Sequence, residues 1–357
     1  MNEPTVPRIA IFRALQLGDM LCCVPALRAL RQHYPTAHIA LVGLPWAQSF
    51  VDRYAHLLDE LIVFPGAAGF PEQRETDEYL PAFSEHMRAR RFDLTIQLHG
   101  SGGVANEIVG RWGARLTAGF RQPEEAARPG VFVPWPEDLP EPARYDALVQ
   151  ALGCAASDLR LEIPLNAHDL RECESLVQAC GLDTGRLILV HAGAQLPSRR
   201  WPVECFAQVA LELCDAGWQI ALTGSSGEAV LTSSLAAMIG TRAIDLTGRT
   251  SLGALAALVA RARLIVCNDT GLSHVAAAMR TPSVVIASGS DTHRWAPLDR
   301  ERHRVLANYP PCRPCAFREC PYGHPCALAI DARQVVRTAF MQLDRFAIQP
   351  FESTYAR

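Results

Sequence analysis

Apolar residues along the chain fall into short runs separated by longer amphipathic stretches. In the first half the runs RIAIFRA (8 to 14), HIALVG (38 to 43), ELIVF (60 to 64) and FDLTIQL (92 to 98) have the length and β-branched content of buried strands. Helical spacing between them predicts helices over 20 to 33, 45 to 55 and 76 to 91. Strands alternating with helices imply a mostly parallel sheet covered on both faces, an α/β doubly wound domain. The segment 121 to 145, rich in Pro and Glu, reads as an irregular excursion.

After LEIPLNAHDLRECESLVQAC, a linker followed by a helix, the alternation restarts. Strands are predicted over 186 to 193, 218 to 224, 243 to 248, 263 to 269 and 282 to 288. The helices between them are predicted over 203 to 216, 227 to 239, 252 to 262 and 271 to 279. A helix over 331 to 345 and a short tail close the chain. Two doubly wound domains follow, 1–166 and 167–357, without low-complexity tracts or short internal repeats.

A length of 357 residues at 49% hydrophobic content agrees with two such domains. No apolar run approaches a membrane span, and the first residues lack a secretory leader's charged and apolar regions, so a cytoplasmic protein is expected. A net charge of −3 argues against a nucleic-acid partner. Every one of the 34 basic residues is Arg, so a given Arg can stand where Lys would serve as well. Eight of the twelve cysteines lie in apolar stretches and read as small buried hydrophobes. Cys312, Cys315, Cys320 and Cys326 instead form a C-x2-C-x4-C-x5-C loop around His324, whose spacing is tighter than that of a usual zinc ribbon. No metal is assigned there, although zinc stays an open alternative.

Ligands of open parallel sheets sit beyond the carboxyl ends of the strands, so the loops after strands carry the candidate chemistry. In the second domain HAGAQLPSRRWP, TGSSGE, TGRTS and NDTGLSH are polar or glycine-bearing, and each leads into a helix. The last interrupts a buried strand with Asn268, Asp269, Thr270 and Gly271 and sets His274 near the helix start. Backbone N–H groups at such a start, with the helix dipole, favour an anion. Thr270 and Ser226 also fit as plain N-caps. Arg199 and Arg200 suit a diphosphate, which a guanidinium can grip with two bonds, and Glu228 suits ribose hydroxyls. Together the four loops describe a nucleotide-diphosphate site.

In the first domain, LGDMLCCVPALRALRQHYP follows a strand: Gly18 permits a tight turn and Asp19 opens an apolar helix. Asp19 reads either as an N-cap or as a general base at the sheet's carboxyl edge, held ionised by the helix dipole. Arg13, Arg111, Arg115, Arg121 and Arg128 are compatible with an anionic acceptor and equally with a solvated surface.

These segments, with HAGAQLPSRRWPVECFAQVA, the stretch from LTGRTS to ASGS and CRPCAFRECPYGHPC, resemble the bacterial heptosyltransferases of glycosyltransferase family 9. The resemblance covers about residues 8 to 340 and is strongest from 187 to 297. It implies a GT-B fold, two Rossmann-like domains facing a cleft, with acceptor bound by the first and nucleotide-sugar by the second. It implies inverting transfer without metal or other cofactor, typically of heptose from ADP-heptose to a lipopolysaccharide core acceptor. The catalytic aspartate would be Asp19, beside Gly18, and the cationic phosphate ligand Arg199, usually Lys in the family. Asp269, Thr270, Gly271 and His274 would form the last donor motif, where Leu272 stands in place of a common proline. The expected partners are a nucleotide-sugar and an anionic oligosaccharide or lipid-linked acceptor, with peripheral contact at the cytoplasmic face of the inner membrane. The same motifs leave open another nucleotide-sugar or acceptor, a sugar-nucleotide epimerase, or a non-catalytic binding protein.

Overall fold

A computed structural model describes residues 7–73 and 75–347. The chain's first residues and the closing tail lie outside the described residues. Two units result, Met1–Arg160 and Leu161–Arg357, so residues 161 to 166, expected to end the first domain, go with the second unit.

The first unit holds β1 (Arg8–Phe12), β2 (His38–Gly43), β3 (Glu60–Val63), β4 (Leu94–Gln97), β5 (Leu116–Arg121) and β6 (Val131–Pro134). They form one parallel sheet in the order β3-β2-β1-β4-β5-β6. The second unit holds β7 (Leu187–His191), β8 (Gln219–Leu222), β9 (Ala243–Asp245), β10 (Leu264–Asn268), β11 (Ser283–Ala287) and β12 (His303–Ala307). Its parallel order, β12-β11-β10-β7-β8-β9, repeats the first unit's topology. In each unit the chain reverses direction across the sheet between its first and fourth strands, and ligands of such sheets bind at that switch point.

The central strands read as continuous apolar runs because both faces are covered: every residue of β10 and β11 is buried. Ile188, Val190, Val266, Val284 and Ile286 share a core with Trp201, Phe206 and the helix Ala332–Arg345. Ala10, Phe12, Val42, Phe64 and Trp112 do the same in the first unit.

The excursion expected over 121 to 145 is not irregular throughout. It contains β6 and the start of the helix Glu141–Ala151. β6 pairs only with β5, and an edge strand that short tolerates the closing Pro134 that hides it in sequence. The linker ends as expected in a helix, Ala167–Cys180, whose N-cap Asn166 accepts from the His168 and Asp169 N–H groups. Of the eight cysteines read as buried, Cys180, Cys205 and Cys214 are partly exposed because they lie toward the outer faces of their helices.

Candidate active site

The second unit's switch point is organised by a side chain. Asn268, the last residue of β10, is fully buried. Its Oδ1 accepts the Trp201 N–H at 3.0 Å, and its Nδ2 donates to the carbonyls of Ala192 at 2.8 Å and Gly193 at 3.3 Å. Asn268 therefore clamps the loop after β7 to the end of β10. It is a scaffold residue rather than a ligand group, a role that its position in a polar cluster conceals.

Beyond the clamp, Thr270 precedes the helix Gly271–Ala278 but makes no side-chain cap bond, and its Oγ1 is buried without a partner. The plain N-cap reading of Thr270 is thereby excluded: capping consists of that hydroxyl accepting an N–H of the first turn. Ser226 is no cap either, because Ser225 takes that position, with Glu228 completing a capping box. Asp269 is partly exposed. His274 is buried on the fourth position of the helix, its ring 6.4 Å from that of Trp295.

Arg199 ends a single 3-10 turn, Pro197–Arg199, and reaches the carbonyl of Ser288 from Nη1 at 3.1 Å and that of Cys315 from Nη2. Arg200 folds back, donating from Nε to the Ala194 carbonyl at 3.0 Å. Glu228 uses Oε2 to accept the Ser225 N–H and hydroxyl, both at 2.8 Å, while Oε1 lies 3.9 Å from Nε2 of His191. Burial lowers the His191 pKa, against the opposing pull of Glu228 and the Thr223 carbonyl. Gly193 makes this placement possible, since a Cβ there would lie 1.8 Å from Glu228 Oε1.

In the first unit, Arg13 follows β1 and is fully buried, so the solvated-surface reading fails for it. Its guanidinium donates to the Asp19 carbonyl from Nε at 3.1 Å and Nη2 at 2.6 Å, and to the Leu98 carbonyl from Nη1. It lies over the Tyr145 ring at 4.4 Å. Burial opposes its charge, but Tyr145, Cys23, Asp19 and Glu141 outweigh that and raise its pKa. Arg13 thus joins the loop after β1 to the loop after β4.

Asp19 is the third residue of the helix Leu17–His33, whose N-cap is Gln16, so the N-cap reading of Asp19 fails. Gly18 is the second helical residue and not a left-handed turn; the helix begins earlier than expected because Gln16, extended, already makes the bend. A carboxylate in a helix's first turn is favoured by the dipole.

His99, which no motif in the sequence marks, binds the loop after β1 beside Arg13. It follows β4 and stacks on Phe12, with centroids 5.1 Å apart. Its Nδ1 accepts the Ala14 N–H at 3.1 Å, which places the proton of the neutral ring on Nε2. Burial, with the Arg13 charge, lowers its pKa to about 3. The signal was a histidine directly beyond a buried strand neighbouring β1.

The cysteine loop packs on the turn that bears Arg199. Ser198 N–H donates to the Arg318 carbonyl at 3.1 Å and its hydroxyl to that of Phe317, while His324 Nε2 meets the Ser198 carbonyl at 2.8 Å. Among the described residues no three His, Cys, Asp or Glu side chains are grouped to hold a metal ion.

The family model for glycosyltransferase family 9 (heptosyltransferase) matches residues 81–325. The chain belongs to glycosyltransferase family 9. This family 9 enzyme is 26% identical over 326 residues to lipopolysaccharide heptosyltransferase 2 of Escherichia coli K12, covering 85% of this chain and 89% of the relative. Its fold is similar to that of the family 9 glycosyltransferase of Veillonella parvula, with a TM-score of 0.77 at 22% identity over 96% of this chain and 99% of the other. It is also similar to the E. coli heptosyltransferase WaaC solved with ADP, with a TM-score of 0.66 at 19% identity over 95% and 99% of the two chains. The fold is of the GT-B type.

Proposed function

We propose that this family 9 glycosyltransferase moves a heptose from ADP-heptose to a lipopolysaccharide core acceptor, inverting the anomeric carbon without a metal ion. The observation that carries the donor half is a set of unsatisfied groups on two adjacent strand ends. Thr270 Oγ1 after β10, and the Ser288 and Ser290 hydroxyls after β11, are buried without partners. Arg199 is bound to the same β11 loop at the Ser288 carbonyl. Buried hydroxyls left unpaired are costly, and a diphosphate supplies acceptors for them and for the guanidinium. The likeness to a lipopolysaccharide heptosyltransferase and to a protein solved with ADP supports adenine and heptose.

In this reading Arg199, Thr270 and Gly271 hold the leaving diphosphate and stabilise the charge that builds on it as the glycosidic bond breaks. Arg200 and His274 flank that position, Glu228 accepts from the ribose hydroxyls, and Asp269 accepts from hydroxyls of the transferred sugar. Asp19, with Gly18 and Arg13 setting its turn, takes the proton from the acceptor hydroxyl as that oxygen attacks the anomeric carbon through an oxocarbenium-like transition state. The acceptor is an anionic, lipid-linked oligosaccharide met at the cytoplasmic face of the inner membrane. None of the described helices is long and apolar enough to cross a membrane, so that contact is peripheral in this reading.

A thermal-shift series tests the donor. ADP and ADP-heptose should raise Tm more than UDP, GDP or TDP, because a ligand at about 100 times its Kd adds about 2.7 kcal/mol to the native state. A larger shift with another nucleotide would discard ADP-heptose.

A further inference from the structure

Two guanidiniums grip one three-residue segment beyond β11. Arg199 donates to the Ser288 carbonyl at 3.1 Å, and Arg313, from the cysteine loop, donates from Nε to the Ser290 carbonyl at 2.8 Å. Between them Gly289 sits at φ +68°, where a Cβ would lie 3.2 Å from Arg199 Nη1 and 2.9 Å from Cys315 Sγ. The two cations are thus drawn to the same short turn, which only glycine fits.

Arg313 is held from the other side as well. Its Nη1 donates to the Asn308 carbonyl at 2.7 Å, and its guanidinium lies 4.6 Å from the centre of the Tyr309 ring. Its Nη2 is buried and has no partner. Neither Arg313 nor Arg199 forms an ion pair among the described residues. Burial lowers the Arg313 pKa, and the Arg199 charge adds to that, against Tyr309, Cys326 and Asp269.

Gathering two like charges on neutral carbonyls, with one fork nitrogen unsatisfied, is unfavourable unless an anion completes the arrangement. The unpartnered Ser288 and Ser290 hydroxyls lie on the same segment. We propose that Arg313 is a second guanidinium ligand of the donor's diphosphate, acting with Arg199 on the leaving group. The cysteine loop then acquires a function: it carries Arg313 and fixes its partner, since Cys315 donates its N–H to the Gly289 carbonyl at 2.9 Å and accepts from Arg199. The inference rests on the donor reading above.

Calorimetric titration of the full chain and of Arg199→Gln, Arg313→Gln and Arg313→Lys with ADP, adenosine and inorganic pyrophosphate tests it. Arg313→Gln should weaken ADP and pyrophosphate at least tenfold and leave adenosine unchanged, with Arg313→Lys between the two, since an ammonium keeps the charge but not the fork. Unchanged ADP affinity in Arg313→Gln, alongside loss in Arg199→Gln, would overturn the role of Arg313 and leave the donor reading intact. Parallel loss of adenosine and ADP would overturn it too, showing Arg313 to be loop scaffolding. If the native chain prefers another nucleoside diphosphate, the donor reading fails, and the pyrophosphate series still decides Arg313.

Discussion

Asn268 and Trp201, 67 residues apart in the chain, are joined by a 3.0 Å hydrogen bond from the Trp201 N–H to the Asn268 side chain. The same amide holds the carbonyls of Ala192 and Gly193, so one buried side chain sets the course of the loop bearing Arg199 and Arg200. Asn268→Ala strands one donor and two acceptors in the interior, each worth about 1–3 kcal/mol when unsatisfied. Asn268→Asp should be worse, because a carboxylate oxygen would face those carbonyls. Denaturant unfolding should show a loss of about 2–4 kcal/mol in the alanine variant, and ADP titration a weaker site; native stability with native affinity would refute the clamp.

Gly193→Ala separates site geometry from folding. The position needs no left-handed backbone, but its new Cβ would meet Glu228 Oε1 at 1.8 Å. Glu228 must swing away and lose its bonds to Ser225, at a cap cost of about 1 kcal/mol. ADP affinity should fall severalfold with only that small change in stability. Full nucleotide affinity would show that Glu228 does not contact the donor.

Arg13 predicts a coupled loss. Its guanidinium satisfies the carbonyls of Asp19 and Leu98, so Arg13→Met removes a buried charge together with the bonds that tie the start of the helix Leu17–His33 to the residue after β4. Unfolding free energy should drop by about 2–4 kcal/mol. Turnover should fall further than nucleotide affinity, because the displaced segments carry Asp19, the proposed base, and His99. Arg13→Lys should not restore it, since an ammonium cannot serve both carbonyls in the same geometry.

Buried histidines contribute to an acid limb, His99 and His303 among them. The folded-state pKa is about 3 for His99, through burial and the Arg13 charge, and about 4 for His303, chiefly through burial. Both lie below the unfolded value of about 6.5. The unfolded chain therefore binds protons that the fold refuses, and stability is retained above about pH 6.5 and lost as pH falls toward the folded values. Each contributes about 1.4 kcal/mol per pH unit across that window. Urea unfolding between about pH 7 and pH 5 should show this slope, and His303→Gln should reduce it by one proton. An unaltered slope would mean that His303 titrates normally.

The parallel sheets were legible because strands such as β10 and β11 are buried on both faces and leave unbroken apolar runs. β5, β6 and β12 were not. Gly119 interrupts the pattern of β5, while β6 and β12 lie at sheet edges and need no continuous apolar face. The loops proposed to hold the donor are marked in the sequence by polar residues placed after strands. What those residues do is not: Asn268 and Thr270 stand two apart, yet one is spent on the scaffold and the other left unpartnered. Arg13, one among 34 identical cations, shows its difference only through burial. Arg313 lies in an irregular loop, where no periodic pattern marks a partly buried side chain.

The proposed transfer depends on Asp19 as the base. The direct measurement is a coupled assay of purified protein with ADP-heptose and a heptose-deficient lipopolysaccharide core, following ADP release and acceptor mass, for the native chain and Asp19→Ala. The native chain should add one heptose per ADP released, and Asp19→Ala none, although ADP binds it as tightly. Full turnover by Asp19→Ala, or release of ADP with no change in acceptor mass, would contradict the proposal.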